Sequence, residues 1–151
     1  MTNEAMANLW TALQIDALTT TCVMDPPLAR LADAPRLGLP DSAIVLEPFV
    51  DSVKRSELEN DTEFEALANK IHVVDYLEKE RDFPEVVCQG VLCCRRLAIR
   101  LAELGVSSCV ALSADPESGV VVARFFRQRT GEEWFARDLN AFQEGVALWL
   151  S

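Results

Sequence analysis

The sequence predicts an α+β fold: a small, mainly antiparallel sheet built from a C-terminal hairpin and a last strand, with helices packed on one face. Three observations carry this reading. The stretch Phe83 to Gly105 bears start and stop signals of one long helix. Val106 to Ala114 and Val120 to Arg127 are strand-like runs around the turn chemistry of Asp115-Pro116-Glu117-Ser118-Gly119. A last apolar run, Val146 to Leu150, comes close to the C-terminus. With 151 residues, half of them apolar, the chain is long enough to bury a core, and residues 1–151 are expected to form one domain.

In chain order, Met6, Leu9, Trp10, Leu13 and Ala17 fall at helical spacing and predict an amphipathic helix over residues 3–18. Residues 19–48 hold five of the seven prolines and are expected to be mostly turns and extended chain, with Ala43-Ile44-Val45-Leu46 as a short edge strand before Pro48. Thr62-x-x-Glu65 reads as a capping box. Phe64, Leu67, Ala68, Ile71 and Val74 then share a face, which predicts a helix from about 62 to 80.

The central helix has Asp82 as N-cap, Glu85 three positions on, Pro84 in the first turn and Gly105 at the stop. Gly90, Cys94, Ala98 and Ala102 recur every four residues as a small-residue stripe, flanked by Val87, Val91, Leu97 and Leu101, along which a neighbour can approach closely. Glu85, Gln89, Arg96, Arg100 and Glu103 lie opposite, toward water or a partner. Its three arginines exclude a membrane span. After the hairpin, Trp134, Phe135, Leu139 and Phe142 restore helical spacing over 132–143, with Gly145 as the stop. The 18 residues 128–145 suffice for a crossover that leaves the last strand parallel to the one before it.

The formal charge of −10 is unevenly placed. Residues 1–94 hold 17 acids against 7 Lys/Arg, and residues 95–151 hold 7 of each. Such a field disfavours nucleic acid and anionic membranes and speeds encounter with a basic protein. No Lys or Arg precedes Arg30, so the front lacks the basic start of a secretory signal, and a cytoplasmic location is expected. Five cysteines, an odd number, agree with reduced thiols.

Glu57, Glu59, Asp61, Glu63 and Glu65 alternate like the ligands of a calcium loop. Thr62 and Ala68, however, stand where such a loop needs Gly and Glu. They are read as a solvated negative patch able to dock a basic surface. Cys22, Cys88, Cys93, Cys94 and Cys109 contain no C-x-x-C pair, and His72 is the only histidine; no metal or cofactor site is predicted. Cys94 belongs to the small-residue stripe. Cys93 has Gln89, Arg96 and Arg100 at i−4, i+3 and i+7, which would activate its thiol. His72 has Asp75 at i+3 but no nucleophile motif beside it. Arg124, Arg127, Arg129 and Arg137 are interleaved with Phe125, Phe126, Trp134 and Phe135, and the sharper reading of Arg127, Arg129 and Trp134 is contact with protein.

The sequence therefore predicts a non-enzymatic protein-binding module, an acidic accessory protein such as an immunity protein or secretion chaperone for a basic partner. Two alternatives are kept. One is a thiol enzyme or redox sensor using Cys93 with Arg96 and Arg100. The other is a small-molecule-binding domain, whose pocket would leave no mark on the sequence.

Overall fold

A tight turn joins the first two long strands. Asp115 Oδ1 accepts the Glu117 N–H at 2.9 Å, Ser118 Oγ donates to Asp115 Oδ2 at 2.5 Å, and Gly119 supplies a φ of +72°. In this computed structural model, which describes residues 1–37, 43–49, 58, 60–132 and 138–150, these strands are β4 (Ser108–Asp115) and β5 (Val120–Arg127). They pair from Ser108↔Arg127 to Asp115↔Val120. The remaining strands are β1 (Pro35–Leu37), β2 (Ile44–Leu46), β3 (Ile71–His72) and β6 (Gly145–Leu150); the helices are α1 (Glu4–Ala12), α2 (Ile15–Thr21), α3 (Pro26–Ala32), α4 (Asp61–Ala68) and α5 (Phe83–Glu103). The main sheet has the order β3-β5-β4-β6 with every neighbouring pair antiparallel, and the fold is α+β. Because β5 and β6 both oppose β4, they run in the same direction on either side of it.

Helix α5 covers one face of this sheet. Its cap is as the sequence predicts: the Asp82 side chain accepts the Glu85 N–H at 3.0 Å. Val87, Gly90, Val91, Cys94, Leu97 and Leu101 are buried on it and belong to one apolar cluster with Val110, Leu112, Ala114, Val121, Ala123 and Phe125 of the sheet, apart from Gly90, which makes the close approach. A Cβ added there would lie 2.7 Å from Leu112 Cδ1 and 3.1 Å from Val121 Cγ1. The stripe does not stay at the interface. A four-residue step advances about 400° around a helix, so it drifts, and Ala98 is half-buried while Ala102 is exposed. On the other face, Cys109, Ala111, Phe126, Val146 and Leu148 pack with Ala66, Leu139 and Phe142.

Four elements differ from the sequence expectation. The first helix is two helices, because Gln14 adopts a left-handed φ of 51° between α1 and α2. The proline-rich stretch is more regular than expected. Pro26 and Pro27 occupy the first turn of α3, where a missing N–H costs nothing, and β1 pairs with β2 in a second small antiparallel sheet.

Helix 62–80 stops at Ala68. Asn60, two residues before the expected cap, accepts the Glu63 N–H at 2.8 Å and starts α4. Asn69 ends it because its buried amide is engaged elsewhere: Oδ1 accepts Leu46 N–H at 2.9 Å, and Nδ2 donates to Ile44 O at 2.8 Å and Phe125 O at 3.2 Å. Ile71 and His72 then form β3 against β5, and Val73–Tyr76 make a 3₁₀ turn. Of the predicted helix 132–143, residues 133–137 lie outside the described residues; Leu139–Ala141 form a single 3₁₀ turn capped by Asp138.

Candidate interaction surface

The predicted acidic patch is taken apart by the fold. Glu57 and Glu59 lie outside the described residues. Asp61 and Glu63 are half-exposed in the first turn of α4, where the helix dipole favours carboxylates. Glu65 is not solvated at all: its exposure is 0%. Its carboxylate receives Arg129 Nη2 at 2.7 Å on Oε1 and Nη1 at 3.0 Å on Oε2, together with the backbone N–H of Ile44 at 2.8 Å and of Arg127 at 2.6 Å. Thr62 is buried beside it and donates through Oγ1 to Glu132 Oε2 at 2.5 Å. What looked like a cap and a docking acid are internal groups. A charge with four donors is tolerated in a core, and this one holds β2, α4 and the end of β5 together.

The arginine cluster is corrected by the same contact. Arg129, expected to face a partner, is an internal counter-ion with only 14% of its side chain exposed, and the Glu65 hydrogen bond raises its pKa further. Arg127 is half-exposed at the end of β5, and Trp134 lies outside the described residues.

Cys93 is also corrected. It is fully buried, and burial pushes its thiol up to about 12, the opposite of an activated thiolate. The reason is α3, which the sequence reading did not anticipate: it packs on α5, and Leu28, Leu31 and Ala32 share an apolar cluster with Cys93. Arg96 and Arg100 do not activate it. Arg96 makes a two-pronged pair with Asp33, with Nε at 2.6 Å from Oδ1, and Arg100 pairs with Glu103. Gln89, also assigned to the outer side of α5, is completely buried under the chain leading into α3.

The outer side of α5 carries an open groove of about 760 Å³ that brings together residues the sequence reading left separate. Leu92, Arg95, Arg96, Ile99 and Arg100 come from α5, and Met24 and Asp33 flank α3. Ile99 is 59% exposed, a large apolar side chain among guanidinium groups. With Arg96 and Arg100 neutralised by Asp33 and Glu103, little net charge remains in the groove. The visible signal was Leu92 and Ile99, seven residues apart on the polar side of α5, where a solvated face calls for neither. Beyond the groove, Asp75, Glu78, Glu80 and Asp82 are exposed in the connection into α5, with Lys79 as the exposed base among them.

His72 sits on β3 rather than within the helix predicted over 62–80, in a polar cavity of about 290 Å³ with Lys70, Ser113, Arg124 and Glu144. Among the described residues no group of three or more His, Cys, Asp or Glu is placed to hold a metal, and no helix is long and apolar enough to cross a membrane.

Fold and surface define an α+β protein whose sheet is backed by one long helix with a mixed apolar and arginine outer face. The chain belongs to the family described as Uncharacterized protein PM0498, whose pattern matches residues 1–150. No curated protein and no solved structure matches it.

Proposed function

We propose that this protein is a non-enzymatic protein-binding module, an acidic accessory protein of the immunity or chaperone kind, which acts in the cytoplasm on a basic protein partner. The observation that carries the reading is the groove along α5, where exposed Ile99 and half-buried Leu92 and Met24 lie between Arg95, Arg96 and Arg100. Arginine and methionine are enriched in protein interfaces, and exposed Ile99 offers apolar area to bury in one. The surplus of acid over the rest of the chain steers a basic protein toward this weakly charged groove, and exposed Asp75, Glu78, Glu80 and Asp82 add to that field.

The test uses the purified chain as bait in extract of its native host. Ile99→Asp, whose site is exposed and whose folding is checked by thermal melting, is expected to lose a basic protein that the wild-type chain retains. Neutralising Asp75, Glu78 and Glu80 together should slow association and flatten its salt dependence. Retention that ignores both changes would remove the groove and the steering acids from the proposal.

A further inference from the structure

Cys22, half-exposed at the end of α2, lies beside the buried Cys88 of α5, the helix against which α2 packs. Both line a second cavity of about 290 Å³, together with Leu18, Thr21, Arg81 and Glu85. Gln89 is fixed in orientation, because its Oε1 accepts the Asp25 N–H at 2.9 Å, so its Nε2 donates to Val23 O at 2.8 Å and to Cys22 Sγ at 3.3 Å. Arg81, anchored on Asp25, stands in the wall of the same cavity.

We propose that Cys22 and Cys88 form a peroxide-reactive dithiol that closes to a reversible disulfide, with Cys22 as the attacking sulfur and Cys88 as the resolving one. Small hydroperoxides are the substrate class, since a cavity of about 290 Å³ with Thr21, Arg81 and Glu85 in its wall suits a small polar molecule. Cys22 Sγ attacks the distal oxygen of the hydroperoxide; the O–O bond breaks, the departing alkoxide takes the thiol proton to become the alcohol, and Cys22 is oxidised by two electrons to a sulfenic acid. Cys88 sulfur then attacks Cys22 Sγ. The S–S bond forms, the hydroxyl leaves, and with the Cys88 proton it departs as water. The order of roles follows from exposure: Cys22 meets solvent, whereas Cys88 is buried. Burial first, and the Cys22 neighbour second, push the Cys88 thiol up to about 12, which makes it a poor first attacker. Cys22 caps the end of the seven-residue helix α2 and precedes Val23, which is 81% exposed, so it lies at the surface end of that helix.

The folded chain is treated with hydrogen peroxide, the peroxide is removed, the remaining thiols are alkylated in denaturant, and the protein is then digested and mapped by mass spectrometry. Titratable thiols are expected to fall from five to three, with Cys22 linked to Cys88, and a dithiol reductant should restore them. In Cys88→Ser, Cys22 should accumulate a sulfenic acid trapped by dimedone that wild type does not. An unchanged thiol count, a link between another pair, or over-oxidised Cys22 beside free Cys88 in the wild-type chain would overturn the assignment. The mapping on wild type needs no variant to fold, and the outcome is independent of whether the groove binds a protein.

Discussion

Glu65 and Arg129, 64 residues apart, meet in a two-pronged ion pair at the end of β5, with Arg129 Nη2 at 2.7 Å and Nη1 at 3.0 Å from the two carboxylate oxygens. Since Glu65 is fully buried, removing its partner leaves, among the described residues, a charge held by the backbone donors of Ile44 and Arg127. Arg129→Met is expected to cost about 3–5 kcal/mol in urea unfolding. Glu65→Gln should also destabilise, because its amide NH2 would face two donors and Arg129, 14% exposed, would lose its counter-ion. An Arg129→Met variant within about 0.5 kcal/mol of wild type would show that the pair contributes little to holding β2 and α4.

Gly90 sets the distance between α5 and the sheet. Gly90→Val drives two methyl groups toward Leu112 and Val121, which are buried, and is expected to lower stability by roughly 1–3 kcal/mol through overpacking. Gly90→Ala should cost less, since about 1 kcal/mol of helix propensity offsets part of the clash. Thermal melting of the two variants orders them; Val melting above Ala would contradict the close approach.

Asp25 makes stability depend on pH on the acid side. Burial pushes its carboxyl up, but the Arg81 hydrogen bond, the Glu78 N–H and the charges of Arg81 and Lys79 outweigh this and hold it below the usual carboxylate range. A depressed folded pKa gives stability that is present above the unfolded value, about 3.9, and lost as pH falls through the folded value. Asp25→Asn should therefore lower the melting temperature at pH 7, with the difference from wild type shrinking below about pH 4. A difference that is constant from pH 7 to pH 3 would exclude this linkage.

Native thiol labelling separates the cysteines. Cys22 should alkylate first, while Cys93, Cys94 and Cys109, buried and with thiols pushed up by burial, should react only on unfolding. Fast labelling of Cys93 in the folded chain would restore the thiol reading that the burial of this residue removes.

Elements whose signals are local were legible. Asp82, Pro84 and Gly105 bound α5 because capping and helix-breaking act within one turn, and Asp115 to Gly119 mark the β4–β5 turn for the same reason. Pro26-Pro27 misled because proline suits a loop and a first helical turn equally, and only the packing of Leu28, Leu31 and Ala32 on α5 selects the helix. Thr62-x-x-Glu65 misled because a capping box and a pair of buried side chains have the same spelling. The groove was half legible: Leu92 and Ile99 stand out on α5, but Met24 and Asp33 join them only through the packing of α3 and the chain around it.

The order of the amino acids by itself determined the α+β class, the long helix, the hairpin, the last strand and the acidic excess, since propensity, periodicity and charge act over a few residues or add over all of them. Tertiary structure alone decided which polar groups face inward. Asn3 joins Val146 and Glu144, Gln89 joins Asp25 and Val23, Asn69 joins Leu46 and Phe125, and Glu65 joins Arg129. Each buried side chain satisfies backbone or charge brought from a distant part of the chain, because a polar group taken out of water is tolerated only where the whole fold supplies its partners.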